Sequence, residues 1–238
     1  MYQTISVPLC SATLSEYCGW SGFRQELCEL QCGGIEAIWS GKPLPADVLE
    51  GLVIGYHLTF YPDWLDFYRE DTKGLERKFG SLDAVRQFYG GFGRECLLAK
   101  YREDLSRAER LRAKYVVFHV SDVSVEEGYT YRWLHSNRGV IEASGELINT
   151  LLEGRDWPFE FLVENQWWPG FTFTEPAETA RLLDAIHHAW CEPCIATVVR
   201  RIAPCYLTHE LSAPGRTLRA EWVRRQTDAL RKGGVQNA

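Results

Sequence analysis

Short apolar runs separated by longer segments of helical spacing make up the hydrophobic pattern of this chain. Five runs rich in apolar and β-branched residues predict β-strands, at residues 2–9, 35–39, 52–58, 115–121 and 159–164. Helical spacing fills the segments between these runs and the segment after the last one. Because strands that alternate with helices form parallel βαβ units, the sequence predicts an α/β fold with a parallel sheet.

The predicted helices differ in number from one connection to the next. They cover residues 16–31, 63–68, 81–89, 95–113, 137–152 and 174–186. Three of them lie in the long connection between the third and fourth strands, where Gly90, Gly91 and Gly93 interrupt the helical pattern. The segment 124–136, rich in aromatic and charged residues, predicts a loop.

Chain length limits how much of a barrel this pattern can build. The five βα units use residues 1–190, and a complete eight-unit barrel takes ~250 residues. The 48 residues from 191 to 238 can supply at most one more unit. The sequence therefore predicts a partial TIM barrel of five to six βα units over 1–190, followed by a divergent tail over 191–238. Within the tail, 195–202 predicts a strand and 218–232 a helix.

Charge distinguishes the tail from the rest of the chain. The net charge of −6 divides into +4 for residues 191–238, from eight basic and four acidic side chains, and −10 for residues 1–190. An acidic surface repels phosphate backbones, which argues against nucleic acid as a partner.

No window of about 18 apolar residues and no secretory signal occur in the sequence. We therefore expect a cytoplasmic protein with no membrane partner and with reduced cysteines.

Three of the predicted strands end in a side chain that can bind a divalent cation. These residues are His57, His119 and Glu164. In a parallel α/β barrel the carboxyl ends of the strands line one pocket, so residues far apart in the sequence can meet there. We predict a metal site at these positions. The alternative is that each residue is an ordinary strand-end side chain with a structural role.

The segments around these residues are similar to a known family, the xylose isomerase-like TIM barrels. The matching stretches are GYHLTFYPDWLDF at 55–67, YVVFHVS at 115–121 and ENQWWPG at 164–170. That family groups sugar and sugar-phosphate isomerases and epimerases with nucleases of the endonuclease IV type. The resemblance extends over residues 1–188 and is closest to an uncharacterised bacterial branch with an Asn-x-Trp-Trp-Pro-Gly segment after the fifth strand.

The resemblance implies specific roles for the strand-end residues and their neighbours. His57, His119 and Glu164 match ligands of a divalent metal, which would be Mn²⁺, Mg²⁺ or Zn²⁺, and Glu164 also matches a carboxylate that moves a substrate proton. The resemblance implies a small sugar or sugar phosphate as substrate. Five further residues are candidates for binding it, through ring stacking or through hydrogen bonds to hydroxyl or phosphate groups: Trp167, Trp168, Ser121, Asn165 and Arg132.

The chain departs from the family after the fifth helix. Family members have a sixth strand that ends in an Asp-x-x-His segment, but no acidic residue occurs here between Pro193 and Leu207. Later ligands of the family also have no counterpart. We therefore expect weak or absent metal binding and impaired catalysis, in a chain truncated or frame-altered after about residue 188.

Three classes of function stay open at this point. The first is a metal-dependent sugar or sugar-phosphate isomerase or epimerase with impaired catalysis. The second is a non-catalytic remnant that binds a ligand or pairs with another chain, for example as a homodimer through exposed barrel edges. The third is an apurinic-site endonuclease, against which the acidic charge and the missing ligands both count.

A second metal motif occurs in the tail. Cys191 and Cys194 are followed by Cys205 and His209, a spacing that resembles a small zinc site. Chance occurrence in a cysteine-containing tail is the competing interpretation.

Overall fold

A computed structural model of the protein describes residues 4–41, 49, 51–164, 169–170 and 175–187. Five strands form one sheet in the order β1-β2-β3-β4-β5, and the pairs β1 with β2 and β4 with β5 are parallel. The strands are β1 (Thr4–Pro8), β2 (Gly34–Ile38), β3 (Val53–His57), β4 (Tyr115–His119) and β5 (Glu160–Glu164). This arrangement confirms the predicted parallel α/β fold and is consistent with an incomplete TIM barrel.

Helices alternate with the strands over the described residues. They are α1 (Ser11–Glu16), α2 (Gly19–Glu29), α3 (Trp64–Tyr68), α4 (Thr72–Phe79), α5 (Leu82–Tyr89), α6 (Arg94–Arg110), α7 (Val125–Thr130), α8 (Asn137–Leu152) and α9 (Pro176–Ala185). None of the helices in these parts of the chain combines the length and the apolar character that a membrane span requires. The predicted tail strand and tail helix lie outside the described residues, and so does the Cys191, Cys194, Cys205 and His209 motif.

The described residues belong to two compact units. Those up to Gly55 form the first unit and those from Tyr56 to His187 belong to the second. In the first unit, the helix predicted over 16–31 corresponds to α2, which begins only at Gly19. Helix α1 was not predicted, and Cys18 and Gly19, with left-handed φ of 56° and 84°, separate it from α2. The Cys18-Gly19 pair was the available sequence signal for this break.

The core of the second unit lies between the sheet and the helices of the long connection and of α8. Phe67 and Tyr89 stack with ring centroids 3.8 Å apart, and both side chains are fully buried. The inward face predicted for α8 is confirmed, with the apolar side chains of Val140, Ile141, Leu147, Ile148 and Leu151 all buried.

Two helices were missed by the hydrophobic pattern. Helix α4 is capped by Asp71, whose carboxylate accepts a hydrogen bond from Gly74 N at 3.1 Å, and ends at Gly80 in the left-handed conformation. Helix α7 lies in the predicted loop and begins with a capping box, in which Ser124 and Glu127 bind each other's backbone N–H groups. For both helices the capping residues were the available sequence signal.

Candidate metal site

Two imidazoles and one carboxylate, from His57, His119 and Glu164, meet at the carboxyl ends of β3, β4 and β5. Oε2 of Glu164 lies 2.8 Å from Nε2 of His119 and 3.5 Å from Nε2 of His57. The two imidazole rings are 4.5 Å apart and nearly perpendicular, at 89°. One ligand atom from each residue lies within 4.8 Å of the others, and all three residues belong to the second unit.

Strand register brings these residues together. His119 is the direct partner of Glu164 in the parallel pairing of β4 with β5, so their side chains leave the sheet side by side. On the other side, Leu58 N donates to Val117 O at 2.9 Å and aligns the end of β3 with β4. Each of the three residues is the last of its strand, which is why the strand-end pattern in the sequence located them.

The site is buried and its carboxylate is ionised. Glu164 is only 3% exposed. Burial alone would raise the pKa of Glu164, but its interactions with His119 and His57 outweigh burial and lower that pKa to about 2. Oε2 of Glu164 faces the Nε2 atoms of both imidazoles. A buried carboxylate in this environment is suited to binding a cation.

The donor geometry fits a divalent metal. For metal–ligand bonds of 2.0–2.1 Å in a tetrahedron, ligand atoms lie roughly 3.3 Å apart, close to the 2.8 and 3.5 Å measured from Glu164. Nδ1 of His57 lies 2.9 Å from the carbonyl oxygen of Leu58, and a proton donated there would fix the tautomer in which Nε2 can bind a metal. Two imidazoles and one carboxylate leave a coordination position for water or substrate.

An aromatic side chain that the sequence prediction missed lies beside the cluster. The ring of Phe60 is 5.5 Å from that of His119 and is half-buried. It follows His57 by three residues, in the connection after β3. The signal available in the sequence was this position, because connections after barrel strands line the pocket.

A buried charged network fixes the backbone next to His57. The Asp104 carboxylate accepts hydrogen bonds from Thr59 N and from the hydroxyl of Tyr56, both at 3.0 Å, and forms an ion pair with Arg107. Burial, followed by the nearby Asp104 charge, raises the pKa of Tyr56, so its hydroxyl stays protonated and donates. Helix α6 therefore holds the carboxyl end of β3 through side chains that a sequence pattern alone could not pair.

The remaining predicted site residues have different surroundings. Ser121 is fully buried and its hydroxyl donates to Pro169 O at 3.3 Å, while Arg132 is exposed in the connection between α7 and α8. Neither belongs to the cluster of three ligands. Asn165, Trp167 and Trp168 lie outside the described residues. Their roles in substrate binding stay predictions.

Gly170 is expected to be intolerant of a side chain. Its φ is 135°, and a Cβ atom there would lie 2.2 Å from the carbonyl oxygen of Val120. We expect Gly170→Ala to lower the free energy of unfolding by about 2 kcal/mol or more, because both backbone strain and overlap with a neighbouring strand end oppose it. Chemical denaturation would measure the loss.

Gly128 provides the matched control for this substitution. It lies in α7, and a Cβ there would meet no atom within 4 Å. Gly128→Ala should therefore be neutral or stabilise the protein by up to about 1 kcal/mol. Equal stability of the two variants would contradict the close approach at Gly170.

Comparison with known proteins gives two structural similarities. The chain matches no protein-family model and no curated protein sequence. It is similar to the crystal structure of a D-tagatose 3-epimerase-like protein, with 14% sequence identity and a TM-score of 0.43, over 78% of this chain and 62% of that chain. It is also similar to endonuclease IV from Thermus thermophilus, with 15% identity and a TM-score of 0.41, over 84% of this chain and 71% of that chain. The chain thus spans less than two thirds of the epimerase-like protein.

Proposed function

We propose that this protein is a divalent-metal-binding member of the xylose isomerase-like barrels, with a site of the sugar or sugar-phosphate isomerase and epimerase type. The observation that carries the proposal is the meeting of His57, His119 and Glu164 at the carboxyl ends of three consecutive strands. Their burial and spacing support a metal-binding role over a role in packing alone. The family assignment itself rests on the three sequence stretches that contain these residues.

The donor set favours one class of metal. Two imidazole nitrogens and a single carboxylate suit Zn²⁺ better than Mg²⁺ or Mn²⁺, which prefer carboxylate, carbonyl and water oxygens. Affinity for nitrogen-containing sites is also higher for Zn²⁺ than for Mn²⁺. Among the three metals that the sequence leaves open, we therefore propose Zn²⁺.

The chemistry of such a site is carbonyl polarisation. A bound divalent cation would polarise a sugar carbonyl and its neighbouring hydroxyl. The C–H of the carbon that bears this hydroxyl would thereby become more acidic. Glu164 is ionised at neutral pH and would hold the cation. The contacts of Glu164 with both imidazoles support a ligand role. Its role in moving a substrate proton stays a prediction.

A second candidate function follows from the same observation. Among the described residues, the ligand cluster contains Glu164 as its single carboxylate, with no second carboxylate to exchange a proton with substrate. A metal site that binds a sugar or sugar phosphate without turning it over would meet this description. Metal binding is common to both candidates, and proton exchange separates them.

Two measurements test the proposal. Metal analysis of the purified protein should find about one Zn²⁺ per chain. In D₂O, ketoses and their phosphates should acquire deuterium at the carbon next to the carbonyl only when the metal-loaded protein is present. The metal-stripped protein is the control. Metal binding without deuterium exchange would support the non-catalytic candidate, and no metal binding would overturn both.

A further inference from the structure

Residues 120–122, here called the linking segment, connect the carboxyl ends of the three strands that carry the ligands. The segment begins directly after His119. On one side, the indole N–H of Trp64 donates to Ser121 O at 2.6 Å, and Leu65 N lies 3.4 Å from the Asp122 carboxylate. The linking segment is thereby bound to α3, which follows β3.

The other side of the linking segment contacts the chain beyond β5. Val120 N donates to Glu164 O and Asp122 N donates to Pro169 O, both at 3.3 Å. Ser121 also forms a backbone bridge with Gly170. The linking segment therefore lies between the chain that follows His57 and the chain that follows Glu164, and its position affects the spacing of all three ligands.

A chain of alternating charges, in which His135 is half-buried, anchors the linking segment. The Asp122 carboxylate, whose residue is 0% exposed, lies 3.0 Å from Nδ1 of His135, and Nε2 of His135 lies 2.9 Å from the Asp66 carboxylate. Lys78 contacts Asp66 at 2.8 Å and Asp63 at 2.5 Å. These five residues, three acidic and two basic, join α3, α4 and the connection between α7 and α8 to the linking segment.

Burying a network of charges costs free energy. Its contribution is therefore better sought in the position that it gives to the linking segment than in stability. The desolvation of buried ion pairs can exceed their attraction, so a fully buried Asp122 adds little stability over an apolar residue. The network does fix the orientation of each side chain in it. The close contacts with the Asp122 carboxylate and then with the Asp66 carboxylate raise the pKa of His135 to about 10, which keeps this imidazole cationic between them.

Metal sites tolerate only small displacements of their ligands, on the order of 0.5 Å. We infer that Asp122 and Trp64 are positioning residues, which set metal affinity by fixing the linking segment relative to α3 although neither belongs to the ligand cluster. The inference rests on the proposed metal function of His57, His119 and Glu164. According to this inference, Asp122 and Trp64 affect the metal site by holding the backbone of the linking segment.

The test uses Co²⁺, a coloured divalent ion that binds nitrogen and oxygen ligands of this kind. Asp122→Asn removes the charge and keeps the shape, and Trp64→Phe removes the hydrogen bond to Ser121 O and keeps an aromatic ring. Both variants should bind Co²⁺ about tenfold or more weakly than the native protein, as is typical when outer partners of metal ligands are lost. The visible absorption bands of bound Co²⁺ should also shift, because they report ligand geometry.

A destabilised variant in the first unit provides the control. Leu27 is buried in α2, and Leu27→Ala should cost about 2–5 kcal/mol of stability. It should bind Co²⁺ with the native affinity and spectrum. Native affinity and native bands in either folded positioning variant would overturn the inference and leave the proposed function standing. Failure of the native protein to bind Co²⁺ would overturn both.

Discussion

Replacing Glu164 by glutamine is expected to reduce metal affinity by at least about 100-fold, since loss of a direct ligand exceeds the 10–100-fold effect typical of outer partners. The substitution removes the anion between two imidazoles and keeps the volume of the side chain. A neutral amide neither compensates the charge of a divalent cation nor supplies a strong donor oxygen. Competition of the protein with a chromophoric chelator for Zn²⁺ would measure the change in affinity.

Glu160 provides a matched control on the same strand. It occupies the first position of β5, is exposed, and lies outside the ligand cluster. Glu160→Gln introduces the same chemical change and should leave Zn²⁺ affinity within about twofold of the native value, since Glu160 lies at the opposite end of β5 from Glu164, roughly 13 Å along the strand. Equal affinity losses in the two variants would indicate that β5 contributes general negative charge to metal binding and that no specific ligand site is present.

The candidate ligands could be predicted from the sequence because their positions follow a rule of topology. His57, His119 and Glu164 each end an apolar run, and parallel strands place their carboxyl ends at one edge of the sheet. No knowledge of side-chain contacts was needed. The parallel α/β fold was predictable as well, because short apolar runs and amphipathic helices are properties of local sequence.

The network that anchors the linking segment could not be predicted in this way. His135 pairs with Asp66, 69 residues earlier, and with Asp122, 13 residues earlier, and no periodic pattern relates these positions. His135 lies in a segment predicted as a loop and Asp66 in a short predicted helix, and charged residues are ordinary in both settings. Only the packing of α3 and the α7–α8 connection on the end of β4 determines that these charges are buried together.

Replacing His135 by alanine should be among the most destabilising substitutions in the second unit. The variant leaves the buried Asp122 and Asp66 carboxylates without the cation that lies between them, and removal of one partner from a buried ion pair costs about 3–5 kcal/mol. Urea denaturation at pH 7 would measure this loss. An exposed ion pair gives the control, because Arg86→Ala breaks the contact with Asp83 and should cost at most about 1 kcal/mol.

The pH dependence of the His135 variant separates the loss of charge from the loss of packing. In the folded protein the pKa of His135 is raised to about 10 from an ordinary value of 6.5. Its ionisation therefore stabilises the fold fully below pH 6.5, and this contribution is lost as the pH rises through 10. The stability difference between the native protein and His135→Ala should narrow between pH 7 and pH 10. A difference that stays constant over this range would mean that the imidazole contributes by packing, and the ionic link to Asp122 and Asp66 would have to be abandoned.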